Sequence, residues 1–144
     1  MPRREDYAFS LDFNTDIAMG ANAAQSVKID TGSSFFVQKI VGTAWDSSNQ
    51  RPFLKYPGPT AASNTETRWL STLSVMIAIS GVQWFNAPVL WTNLIGDIWD
   101  PDVKLVEREI RQGNDIGVTL YNNNTSIGNV RAQITFHGYK LWNS

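Results

Sequence analysis

The chain has 144 residues, no cysteine, and a formal charge of −1 from 12 basic and 13 acidic side chains. That length fits one domain with a core of its own, and the missing cysteines exclude disulfides and thiolate metal sites. The charge balance lacks the basic footprint that draws a protein to nucleic acid, and no apolar run reaches the roughly 18 residues of a membrane-spanning helix.

The N-terminus carries Arg3 and Arg4 with no apolar run behind them, which is not the pattern of a signal peptide. Residues 1–24 read as an N-terminal arm. Phe9, Leu11 and Phe13 alternate briefly before Asn14-Thr15-Asp16, and Ala18 to Ala24 is small and polar. The three apolar residues are suited to pinning the arm on a neighbouring subunit; a frayed terminus with one edge strand is the alternative. The rest, 25–144, reads as one β-sandwich domain.

Gln25 to Asp30 alternates through Val27 and Ile29, and Thr31-Gly32-Ser33 turns the chain. Ser34 to Trp45 has apolar residues in both registers, as expected of a strand covered on both sides, and Gly42 suggests a bulge. Asp46 to Glu66 is a long irregular stretch stiffened by Pro52, Pro57 and Pro59. Its Phe53 and Tyr56 are candidate partner contacts, or aromatics tucked over an open sheet end.

Trp69 to Ser80 is the best core strand, ended by Gly81, and the short segments Val82 to Phe85 and Pro88 to Leu94 follow. Asp100-Pro101-Asp102 is a turn. Val103 to Arg111 reads as an edge strand in preference to a short helix. Ile116 to Leu120 and Val130 to Phe136 alternate strictly, and the polar break at 122–126 predicts a hairpin between them. Some eight or nine short strands with frequent turns predict an all-β antiparallel sandwich or barrel.

Candidate chemistry is sparse. His137 is the single histidine, and its same-face neighbours Arg131, Gln133 and Thr135 form no nucleophilic set. Asp97, Asp100 and Asp102 offer oxygens to a cation but lack EF-hand spacing, and they serve equally well in a turn. Glu107 and Glu109 share a strand face, yet Lys104, Arg108 and Arg111 give them ordinary ion-pair partners. Trp84, Trp91 and Trp99 are a candidate sugar platform, against core filling and subunit contact. The reading is of a protein that is not an enzyme and carries no cofactor and no metal.

One resemblance adds to this. Ser33-Ser34-Phe35-Phe36-Val37-Gln38-Lys39-Ile40 is an early strand after a turn. Gln112-Gly113-Asn114-Asp115-Ile116 leads into Val118-Thr119-Leu120-Tyr121-Asn122, and the closing strand 130–141 ends in Gly138-Tyr139-Lys140-Leu141. Over about the last two thirds of the chain this resembles the small jelly-roll virion proteins of tailed bacteriophages, most of all capsid cement or decoration proteins. The resemblance implies a jelly-roll-like sandwich of about eight strands. It implies a homo-oligomer, dimer or trimer, on the capsid exterior, holding a major capsid protein; charge and hydropathy already give no role to nucleic acid or membrane. Neck, tail or fibre proteins of the same style, and a carbohydrate-binding module, are the alternatives.

Overall fold

The computed structural model describes residues 2–47, 72–95, 107–124 and 129–142. Nine strands and one helical turn follow in order: β1 (Arg3–Ile17), β2 (Asn22–Lys28), β3 (Ser33–Asp46), β4 (Leu73–Ile79), β5 (Val82–Gln83), β6 (Val89–Leu90), α1 (Trp91–Leu94), β7 (Arg108–Ile110), β8 (Asp115–Asn122) and β9 (Val130–Trp142). They form two antiparallel sheets. The first runs β1-β9-β3-β7; the second runs β2-β8-β4-β5, with β6 also on β4. Strands β5 and β6 lie along the same edge of β4 and act as one interrupted strand. Counted that way, the order is that of a jelly roll, in which the chain passes repeatedly from one sheet to the other.

The inner faces follow from the alternation. Phe9, Leu11 and Phe13 of β1, Phe35 and Val37 of β3, and Val130, Ala132, Ile134 and Phe136 of β9 are buried on one side. Leu73, Val75 and Ile77 of β4 and Ile116, Val118 and Leu120 of β8 are buried on the other. Each large side chain withdrawn from water in this way contributes about 1.5–3 kcal/mol. The β4–β5 connection is a two-residue hairpin, Ser80-Gly81, with φ of 48° and 83°. Positive φ at both loop positions matches the twist of the flanking strands, and glycine accepts it without strain.

Several sequence expectations need correction. The N-terminal arm takes the edge-strand alternative, without the fraying: residues 3–17 form the edge strand of the first sheet, paired with β9 from Arg3↔Trp142 to Ile17↔Val130. Phe9, Leu11 and Phe13 are core residues of their own sandwich, Phe13 only 1% exposed, and not anchors on a loose arm. The boundary at residue 24 falls inside β2.

The expected closing hairpin is also absent, because β8 and β9 belong to different sheets. Gly42 is not a bulge; it sits in regular register opposite Ile134. The bulge lies between Val37 and Lys39, and it explains the two apolar registers of β3. Before it Phe35 and Val37 face inward, after it Ile40 and Ala44 do, so a single inner face is served throughout.

The end of β8 is locked by a buried side chain. Asn122 donates from Nδ2 to the Ile17 carbonyl at 2.9 Å and accepts at Oδ1 from the Asn124 amide at 3.2 Å. Its own main chain bonds Gly20 and Ala21. An asparagine expected in a loop thus ties the β1–β2 turn across the sandwich.

Candidate functional site

The two long edges of the sandwich differ. On one side the long β1 packs beside β2. On the other, the edge strands β7, β5 and β6 are only two or three residues each. Short edges leave the sheets parted, and a cleft of about 380 Å³ opens there. Val37, Ile40, Trp84, Phe85, Val89 and Leu94 give it apolar walls; Gln38, Lys39, Asn93 and Arg108 stand at its rim. The bulge in β3 turns Gln38 into this region. Trp84 is anchored by its amide, which donates to the Ile77 carbonyl at 2.9 Å, and the Arg108 guanidinium lies 4.8 Å from its ring centre.

The candidate tryptophans separate in space. Trp84 is half-buried in the cleft, while Trp91 is fully buried. Its indole occupies the space above Gly42, where a Cβ would fall 2.8 Å from Cζ2. Trp91 therefore joins the sheets rather than facing a sugar, and a three-ring platform is ruled out. Trp99 lies outside the described residues, as do Phe53, Tyr56, Asp97, Asp100 and Asp102.

The outer face of the first sheet carries the polar alternation of β9. Arg131 Nε donates to Asp16 Oδ1 at 2.6 Å and Gln133 Nε2 to Asp12 Oδ1 at 2.6 Å, while the Ser10 and Thr135 hydroxyls meet at 2.9 Å. The Arg131 hydrogen bond holds the Asp16 carboxyl below its ordinary 3.8. His137 lies opposite Ala8 and Lys39 and shares a shallow depression with Gln38, Lys39 and Glu107. Burial first, and the Lys39 charge second, lower its pKa below 6.5.

Glu107 accepts a hydrogen bond from the Tyr139 hydroxyl at 2.8 Å, which raises the phenol pKa above 10.0. Tyr139 stacks on Phe36 with ring centres 5.0 Å apart and carries the Arg4 guanidinium at 4.0 Å. Glu109 sits in register with Phe36 on the β7 edge. The two glutamates belong to a laced surface, not to a catalytic pair across a cleft.

One cluster escaped the sequence reading. Lys140, buried on the inner side of β9, places Nζ 2.6 Å from Asp30 Oδ2 and 3.5 Å from the Tyr7 ring centre. Phe9 and Trp142 flank it at 5.2 and 5.5 Å. The available signal was register: Lys140 continues the buried even positions that end at Phe136. A lysine in a core register needs a counter-charge and rings to replace its water.

Among the described residues there is no cluster of three or more metal-ligating side chains, and no helix is long and apolar enough to cross a membrane. No protein-family model matches the chain, and no curated protein matches it. What the geometry offers is contact area: a rigid sheet face braced by ion pairs and stacked rings, and an apolar cleft with a cationic rim.

Proposed function

We propose that this chain is a structural virion protein that binds and stabilises a phage capsid from outside, in a cement or decoration role, as a homo-oligomer. The observation that carries the reading is the strand order, β1-β9-β3-β7 over β2-β8-β4-β5. It is the architecture implied by the resemblance of the closing strand and its neighbours to jelly-roll virion proteins. Because one fold serves many functions, the surface supplies the second support.

Three strands of the first sheet run 13 to 15 residues each. Their outer side chains are cross-tied by Arg131–Asp16, Gln133–Asp12 and the Arg4–Tyr139–Phe36 stack. Such a face resists shear and meets a partner without ordering loose side chains, which lowers the entropic penalty of binding. Repetition on a lattice of capsid subunits then multiplies modest contacts into strong attachment.

The test is purification from the native source followed by sedimentation through a density gradient. Attachment predicts that the chain travels with a large particle and with its major shell protein. Recovery only in the light fractions, with binding to a glycan array, would replace this reading with the carbohydrate-binding one.

A further inference from the structure

Strand β1 is a long edge. It pairs with β9 without interruption from Arg3 to Phe13, and among the described residues its other side has no strand partner. Every second residue there presents main-chain donors and acceptors to a newcomer. The middle of the edge, Tyr7-Ala8-Phe9-Ser10-Leu11, carries no charge. Tyr7 lies at this rim, 40% exposed.

We propose that two copies of this chain join through β1, antiparallel about a twofold axis at Ala8, so that their first sheets run on as one. Ala8 is the midpoint of the uninterrupted stretch. Centring there sets Arg4 opposite the partner copy's Asp12, twice by symmetry, on the solvent face. It sets Tyr7 opposite Phe9 on the inner face and Asp6 opposite Ser10, and it opposes no like charges. Opposite-charge and aromatic pairs directly across strands are the stabilising units of a sheet.

Other registers are worse. A centre at Phe9 sets Asp6 against Asp12. A centre at Tyr7 takes Asp12 away from Arg4 and opposes it to Pro2. A centre at Ser10 runs the pairing into the irregular stretch between Phe13 and Ile17, where Asp16 is already held by Arg131. A centre between residues sets the polar face of one copy beside the apolar face of the other.

This deepens the homo-oligomer in the proposed function and rests on that reading for its setting on a particle; the pairing itself rests on the edge. The absence of cysteine makes the register directly readable. Residues opposed across an antiparallel pair have Cα atoms about 4.5–5.5 Å apart, within reach of a disulfide. Full-length Ala8→Cys should therefore oxidise to a covalent dimer, while Ser10→Cys should not.

Light scattering should report a dimer for the native chain. Arg4→Asp should weaken it by roughly tenfold or more, and the charge swap Arg4→Asp with Asp12→Arg should restore it. Circular dichroism melts confirm that each variant is folded. A monomer at about 100 μM, a trimer, or linkage through Ser10→Cys as efficient as through Ala8→Cys overturns the proposal. A monomer that still sediments with the particle defeats this pairing and leaves the capsid reading standing; a dimer that never does so has the opposite meaning.

Discussion

At Gly138 the two central strands of the first sheet approach closely. It faces Val37 beside the β3 bulge. A Cβ added to it would penetrate the Phe36 carbonyl oxygen, at 2.9 Å from the carbonyl carbon and 3.2 Å from the Val37 Cα. These are main-chain atoms and cannot swing away, so Gly138→Ala must part β3 from β9. Losing two ladder hydrogen bonds at roughly 0.5–1.5 kcal/mol each, with overpacking strain of roughly 1–3, gives about 2–6 kcal/mol. For a domain of this size that lowers Tm by roughly 4–24 °C. Gly117 supplies the matched control. It lies in β8, and its added Cβ would meet nothing nearer than the Ala78 carbonyl oxygen at 3.6 Å. Gly117→Ala should be neutral or stabilise by about 0.4–1 kcal/mol through the unfolded chain. Thermal melts by circular dichroism decide the matter. If Gly138→Ala melts no lower than Gly117→Ala, the close-approach argument fails.

Further outcomes follow from the same contacts. Asp30→Asn should destabilise by about 2–3 kcal/mol, more than Lys140→Met, because it leaves a buried ammonium without its counter-charge; urea midpoints compare the two. Asn122→Ala strips hydrogen bonds from the Ile17 carbonyl and the Asn124 amide, and should lower stability by about 2–4 kcal/mol in the same assay. The fold favours neutral His137, so this contribution is complete above the ordinary value of 6.5 and is lost as pH falls through the lower folded value. Tm measured at about pH 7.5 and about pH 5 should therefore fall less for His137→Gln than for the native chain.

Much of the sandwich was legible because period-two alternation reports burial directly. Val130, Ala132, Ile134 and Phe136 are inside, as their spacing implied, and Arg131, Gln133 and Thr135 reach outward to β1. What alternation does not carry is partnership. Ile116 to Leu120 and Val130 to Phe136 read as hairpin neighbours, yet each finds its partners far away in sequence. The β1 segment read either as an arm pinned on a neighbour or as an edge strand; as an edge strand it needs only one apolar side, which Phe9, Leu11, Phe13 and Ile17 supply. In β3 a single inserted residue converted one inner face into an apparent two-sided strand. Tryptophan gave no positional signal at all: Trp91 is interior because Gly42 leaves room for it, a match between residues far apart in the chain.

The first sheet is built around a strand synthesised well after the two it joins. Strand β9 lies between β1 and β3, and both must wait for it. At roughly 5–20 residues per second that delay is on the order of 10 s, with Phe9, Leu11, Phe13 and Phe35 lacking their final cover. The first sheet thus cannot close before β9 is made, and a ribosome that stops short of Val130 releases a chain with two sticky, orphaned ribbons. Such a design ties quality control to the arrival of β9: only a chain that includes it can close.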